Sequence, residues 1–95
     1  MAGWVLTSSD PAMTLRLAPG AMKTLGRSAR AEFIVEAPLV SRLHCRLTAE
    51  VDQLVAEDLE STNGILVNGA KTERAVLAPG DILTIGRVDF EVTRG

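Results

Sequence analysis

Two short polar motifs, about twenty residues apart, carry most of the side chains in this sequence that could bind a charged ligand. The first runs from Ser41 through Arg42 to His44, and the second is Ser-Thr-Asn-Gly at residues 61–64. An earlier Gly-Arg step ends in Arg27. Hydroxyl, amide and guanidinium groups donate hydrogen bonds, and an arginine can hold two phosphate oxygens with one planar fork. These residue types predict recognition of a phosphate group rather than catalysis.

A nucleophilic enzyme is the main alternative use of the same residues. Ser41, His44 and Asp58 could form a nucleophile, a base and an orienting acid. The sequence lacks the Gly-x-Ser-x-Gly turn that presents such a serine. A pair made by His44 and Cys45 is also unfavourable, because adjacent residues of a strand point to opposite faces. No cluster of metal ligands is present either. We therefore predict a protein that is not an enzyme, with no metal and no cofactor.

The segments that must position these motifs are short and are separated by frequent turns. Apolar and polar residues alternate at residues 13–17, 83–85 and 88–92, as expected for strands with one buried face. Many short strands with regular turns are typical of an all-β sandwich or barrel. The sequence therefore predicts an all-β fold.

Three further segments bear on this prediction. Asn68 and Gly69 favour the two positive-φ positions of a type I′ hairpin turn. A Pro-Gly-Asp turn at residues 79–81 is expected to lead into the next strand. Residues 41–53 are the least distinct, since a helix is possible there, but the alternation of residues 45–50 favours a strand.

Length and composition fit one soluble domain covering residues 1–95. The net charge of −2 provides no basic field for nucleic acid, and the aromatic content of 3% leaves little surface for stacking bases. No apolar run approaches the length of a membrane span. The only cysteine, Cys45, has no partner for an intrachain disulfide, which favours a reducing compartment. We predict a cytoplasmic protein whose partners include neither nucleic acid nor membrane.

Taken together, the motifs resemble the forkhead-associated (FHA) domain family of phosphothreonine-binding modules. The family pattern is Gly-Arg, then Ser-x-x-His, then a Ser-Thr-Asn-Gly turn and an Asn-Gly hairpin. The matching residues in this sequence are Gly26, Arg27, Ser41, His44, residues 61–64, Asn68 and Gly69. Each motif is common by itself, whereas the ordered set is specific, and the resemblance covers residues 22–92.

The resemblance implies an FHA-like β-sandwich of about eleven mostly antiparallel strands, with the binding loops at one end. It also implies a non-catalytic signalling module that recognises phosphothreonine in a partner protein. The implied phosphopeptide-binding residues are Arg27, Ser41, Arg42, Thr62 and Asn63. The implied structural supports of the site are Gly26, His44, Gly64 and Gly69.

The same resemblance implies separate roles for the binding residues. Arg27 and Ser41 would be the main ligands of the phosphate, and Thr62 would add a hydroxyl or backbone contact. Asn63 would hold the backbone of the bound peptide through its amide. Arg42 would lie at the rim, in contact with phosphate or peptide backbone.

Neighbouring residues carry further expectations. His44 should brace the loop of the first motif through a ring N–H bond, and Leu43 should point inward. Arg87 follows a glycine, as Arg27 does, but we expect it to be structural or solvated. Through the resemblance, the uncharged Leu39 implies an apolar or weak preference for the peptide residue three positions after the phosphothreonine.

A protein-interaction or scaffold β domain that binds without phosphate is the alternative function. Some domains of this fold act in that way. The joint presence of Arg27, Ser41, Thr62 and Asn63 favours the phosphate-dependent function, because a domain without it would be free to lose these groups. The two functions differ in whether phosphatase treatment of the partner abolishes binding.

Overall fold

A computed structural model describes residues 3–95, which form eleven β-strands and no helix. In chain order the strands are β1 Trp4–Ser9, β2 Ala12–Leu17, β3 Met22–Gly26, β4 Phe33–Ile34, β5 Cys45–Ala49, β6 Leu54–Asp58, β7 Ile65–Val67, β8 Ala70–Thr72, β9 Arg74–Leu77, β10 Ile82–Ile85 and β11 Val88–Arg94. The predicted all-β class is confirmed.

The strands form two sheets. One has six strands in the order β2-β1-β11-β10-β7-β8, and the other has five in the order β4-β3-β5-β6-β9. Strands β3 and β4 pair in parallel, and the other recorded pairs are antiparallel. The mostly antiparallel arrangement predicted from the family resemblance is therefore confirmed.

Alternation along the strands places apolar side chains between the two sheets. Leu6 and Phe90 from the six-stranded sheet pack in one cluster with Leu25 and Leu47 from the five-stranded sheet, and all four side chains are fully buried. Burying a leucine or phenylalanine side chain stabilises a fold by about 1.5–3 kcal/mol relative to leaving it in water. This shared core holds the two sheets together and provides a rigid base for the loops.

The predicted turns are present. Asn68 and Gly69 have φ angles of 51° and 84°, as a type I′ turn requires, and they connect β7 to β8. Gly80 has a φ angle of 92° in the turn before β10, where the Asp81 N–H donates to the Ala78 carbonyl at 3.0 Å. Both turns thus follow from local sequence.

The least distinct segment, residues 41–53, contains a strand as predicted, but the strand covers only residues 45–49. Strand β5 stops at Ala49, and the Glu50 N–H donates to the Gln53 carbonyl at 2.8 Å in the turn that follows. Val51 lies in this turn and is 58% exposed. The alternation of residue types extends beyond Ala49. Alternation alone does not show where backbone pairing ends.

Candidate functional site

Strand register brings the three motif-bearing loops to one end of the five-stranded sheet. Leu25 near the end of β3 pairs with Cys45 at the start of β5, and Cys45 pairs with Asp58 at the end of β6. The chain leaving β3, the chain entering β5 and the chain leaving β6 must therefore lie side by side. The first carries Arg27, the second carries Ser41, and the third carries residues 61–64.

Arg27 follows directly on β3 and is held by the neighbouring loop. Its backbone N–H donates to the Ser41 carbonyl, and its Nε–H donates to the Val40 carbonyl, both at 2.9 Å. Gly26 makes this approach possible, because a Cβ at that position would collide with the backbone carbonyl of Arg42. The guanidinium is exposed and fixed through one edge, so its terminal nitrogens can meet a ligand.

The Ser41 hydroxyl connects the second loop to the third. The Thr62 backbone N–H donates to Ser41 Oγ at 3.0 Å. A hydroxyl has one proton to donate and two lone pairs to accept with. Since Ser41 Oγ acts as an acceptor towards Thr62, its own proton can be donated to an anionic ligand.

His44 is fully buried and braces the loops differently from the prediction. The Ser41 backbone N–H donates to Nδ1 at 3.0 Å, so this ring nitrogen accepts and the proton resides on Nε2. Nε2–H then donates to the Gly64 carbonyl at 2.7 Å. The prediction that the ring N–H holds the Ser41 loop is therefore wrong in detail, because the N–H goes to the third loop.

Asn63 and Gly64 complete the third loop. Asn63 Nδ2 donates to the Leu39 carbonyl at 2.9 Å, which ties this loop to the second one. Gly64 has a φ angle of 75°, and a Cβ there would meet the Lys71 side chain at 2.6 Å. The backbone conformation favours glycine at this position, whereas the flexible Lys71 side chain could move aside.

One cleft of about 530 Å³ opens between the loops. Its lining residues are Arg27, Ser28, Arg30, Ser41, Arg42, Leu43, Glu60 and Thr62. Four of the five residues implied by the family resemblance are thus brought to one cleft, whereas Asn63 lies beside it on the loop contact described above. Leu43 is 37% exposed and lines the cleft, so the prediction that it points inward is wrong.

The charge of the cleft suits an anion. Arg27, Arg30 and Arg42 bring three positive charges and Glu60 brings one negative charge, which leaves a net charge of +2. The whole chain has a net charge of −2, so positive charge is concentrated here. Sequence reasoning missed Ser28, Arg30 and Glu60 as lining residues. The only signal for them was their position within a few residues of Arg27 and Ser61.

Arg87 lies elsewhere. It lines a second cleft of about 530 Å³ together with Leu39, Glu36 and Asp10, and does not line the cleft of Arg27. Its φ angle is 70°, in the turn between β10 and β11. The structure thus separates the two arginines that follow a glycine.

The alternative catalytic arrangement is not formed. Both ring nitrogens of His44 are bonded to backbone groups, and neither is bonded to the Ser41 hydroxyl. Asp58 accepts a hydrogen bond from the Ser61 hydroxyl at 2.5 Å, so the carboxylate positions the third loop rather than a histidine ring.

A β-sandwich with a positively charged cleft between three hydrogen-bonded loops is typical of domains that recognise anions. The FHA domain family profile matches residues 23–86, and the chain belongs to this family. FHA domains are generally non-catalytic binding modules.

Three known proteins illustrate the relationship. The chain is 35% identical over 83 residues to the ABC transporter ATP-binding/permease protein Rv1747 of Mycobacterium tuberculosis, and 31% identical over 94 residues to the FHA domain-containing protein FhaA of the same organism. These alignments cover 87% and 90% of this chain but only 10% and 18% of those proteins. A solved FHA domain from work on phosphothreonine-dependent FHA domain interactions superposes with a TM-score of 0.88 at 30% identity, covering 96% of this chain and 95% of that one.

Residues 3–95 include no helix that is long and apolar enough to cross a membrane.

Proposed function

We propose that this FHA domain binds a phosphothreonine-containing segment of a partner protein and so acts as a non-catalytic signalling module. The observation that carries the proposal is the convergence of Arg27, Ser41 and Thr62 on one positively charged cleft. Phosphothreonine brings about −1.5 to −2 charges and three acceptor oxygens at neutral pH. The net charge of +2 in the cleft matches this ligand.

The groups that face the phosphate are held in place before the ligand arrives. The terminal nitrogens of Arg27 approach two phosphate oxygens, while its Nε–H stays on the Val40 carbonyl. The Ser41 hydroxyl donates to a further oxygen, since its acceptor role is satisfied by the Thr62 N–H. Arg42 adds a charge at the rim, and Asn63 binds the peptide backbone with the amide atoms that Leu39 does not occupy.

A rough energy balance predicts moderate affinity. Three charge-assisted hydrogen bonds contribute about 1.5–3 kcal/mol each, or about 5–9 kcal/mol before costs. Ordering a flexible peptide and several side chains offsets part of this, and backbone contacts restore some. Affinity in the micromolar range corresponds to about −8 kcal/mol.

The comparisons support the proposal through the family. The structurally similar domain at 30% identity comes from work on phosphothreonine-dependent FHA domain interactions. Leu43 is the apolar residue among those lining the cleft, and it offers a contact for the threonine methyl group, which phosphoserine lacks. We further propose that the chain is one FHA domain acting in the cytoplasm, where a free thiol such as Cys45 is ordinarily kept reduced.

Titration calorimetry with a peptide selected from an oriented phosphothreonine library tests the proposal. Arg27→Ala should weaken binding by at least tenfold, while the free energy of unfolding falls by only about 0.5–1.5 kcal/mol for the lost Nε–H bond to the Val40 carbonyl. Arg87→Ala removes the same charge from the second cleft and should leave affinity within about twofold.

The unphosphorylated and phosphoserine versions of the same peptide are the ligand controls, and both should bind more weakly. Equal losses in the two arginine variants would mean that the wrong arginine has been chosen. Equal affinity for the phosphorylated and unphosphorylated peptides would favour the phosphate-independent interaction domain instead.

A further inference from the structure

Glu60 places a negative charge in a cleft that otherwise suits an anion. It is exposed, lines the cleft with the three arginines, and directly precedes the loop of Thr62. Within the described part of the chain, the recorded ion pairs join Lys23 to Glu32 and Arg46 to Glu57, so the Glu60 carboxylate is not neutralised by an arginine at contact distance.

The backbone conformation at residue 60 does not favour glutamate. Glu60 has a φ angle of 57°, which lies in the left-handed region. A side chain with a Cβ is disfavoured there relative to glycine, and asparagine is better tolerated than glutamate. A residue that is unfavourable for the turn, and whose charge opposes the proposed ligand, points to a role in selecting among ligands.

The net charge of the cleft, with and without Glu60, indicates which ligands this residue would select. With Glu60 the cleft carries a net charge of +2, which a single phosphate dianion neutralises. Without Glu60 the three arginines would keep a surplus positive charge after one phosphate had bound. That surplus would attract a second anionic side chain of the peptide. Glu60 removes the surplus and repels such a group instead.

We propose that Glu60 is a specificity-determining residue that selects singly phosphorylated segments, favouring a basic residue and disfavouring an acidic or phosphorylated residue next to the phosphothreonine. This rests on the proposed phosphothreonine binding. The physical basis is a Coulomb interaction between exposed groups, which is modest for each pair and weakens as salt rises.

The test uses short alanine-based peptides with a central phosphothreonine, which differ only at the flanking positions. One peptide keeps alanine there, and the others carry lysine, glutamate or phosphoserine on either side in turn. Calorimetric titration of the unmodified domain should rank affinity in the order lysine, alanine, glutamate, phosphoserine. The difference between the lysine and phosphoserine peptides should be about tenfold at low salt and smaller at high salt.

Two variants remove the charge in different ways. Glu60→Gln keeps the side-chain shape, while Glu60→Gly also relieves the left-handed backbone strain. Both should raise affinity for the phosphoserine-flanked peptide by roughly three- to tenfold and should compress or reverse the ranking. Glu91→Gln makes the same change in net charge on β11, at a residue that lines a separate pocket, and should leave the ranking unchanged.

The outcomes distinguish the role of Glu60 from the proposed binding of phosphothreonine. If the unmodified domain binds no phosphothreonine peptide better than its unphosphorylated counterpart, the proposed function fails. If it binds them but prefers acidic flanks, or if the ranking is the same in both Glu60 variants and in Glu91→Gln, the role assigned to Glu60 is overturned while the proposed function stands. Glycine is compatible with the backbone conformation of residue 60. If the Glu60→Gln protein folds poorly, the Glu60→Gly protein therefore still decides the test.

Discussion

The buried imidazole of His44 holds together two of the loops that form the cleft. Its Nδ1 accepts the Ser41 N–H and its Nε2–H donates to the Gly64 carbonyl. Two loops that come from distant parts of the sequence are therefore held by one ring. The hydrogen bond from the Thr62 N–H to the Ser41 hydroxyl depends on the distance at which the ring holds these two loops.

His44→Phe should destabilise the domain by about 2–4 kcal/mol, because two buried backbone groups would lose their partners while the ring volume is roughly retained. Urea unfolding measures the loss, and phosphopeptide affinity should fall with it as the loops separate. His44→Gln can form one of the bonds again and should recover part of the stability. An unchanged free energy of unfolding in His44→Phe would show that the ring hydrogen bonds do not support the loops.

For single residues, the sequence predicts a place in the cleft when the residue belongs to a known motif. It does not predict that place when the path of a loop decides it. The meeting of Arg27, Ser41 and Thr62 at one cleft was predictable because they belong to short recognisable motifs. Arg30 and Glu60 were not predictable, because they belong to no recognisable motif and line the cleft only through the paths of their loops. Leu43 was predicted to point inward, but it precedes β5 and lines the cleft.

At the scale of elements, the turn between β9 and β10 is held by an ionised carboxylate. Asp81 accepts the Ala78 N–H at 2.8 Å and an Asn68 amide N–H at 3.1 Å. These bonds favour the charged form and lower the pKa of Asp81, the backbone bond from Ala78 having the larger effect. The hairpin turn of β7 and β8 is thereby linked to the turn that precedes β10.

The stability that Asp81 contributes should depend on pH. Its pKa is lower in the folded than in the unfolded chain, so the contribution is complete above the unfolded value, which for aspartate is about 3.9. It is lost as pH falls through the folded pKa. Asp81→Ala should therefore lower the free energy of unfolding near neutral pH, and the gap from the unmodified domain should shrink in acid.

Urea unfolding of both proteins across the acidic range checks this expectation. Asp89→Ala, which removes a carboxylate that is bonded to the Thr84 hydroxyl rather than to a backbone N–H, is the matched control. A gap for Asp81→Ala that stays constant down to the lowest pH would contradict the account.

The elements themselves were largely predictable. Alternation identified β2, β10 and β11, and Asn68-Gly69 identified the hairpin of β7 and β8. The end of β5 was misplaced because pairing with β3 and β6, and not residue type, determines where the strand stops. The two-residue strand β4 pairs in parallel with β3 and has too few residues to show any periodicity.

At the scale of the whole molecule, Cys45 reports on the integrity of the core. The thiol is fully buried between the sheets, and burial, with a smaller effect of the nearby Asp58 charge, raises its pKa to about 12. The reactive thiolate is therefore almost absent near neutral pH, and solvent cannot reach the sulfur in the folded state.

Thiol labelling should therefore follow unfolding of the whole sandwich. A disulfide reagent added at pH 8 should modify Cys45 slowly in buffer and at once in concentrated urea, with a labelling rate that rises with the population of the open form. Cys45→Ala provides the background signal. Rapid labelling in buffer would show that the core opens locally at β5 without global unfolding.

The central claim is that a phosphate group binds between the three loops at one end of the sandwich. The most direct measurement is a titration of ¹⁵N-labelled protein with a selected phosphothreonine peptide and, in parallel, with its unphosphorylated form, followed by amide chemical shifts. The account predicts that the phosphate-dependent shifts are largest at Arg27, Ser41 and Thr62. Shifts centred instead on Arg87 and the second cleft, or equal shifts with both peptides, would contradict it.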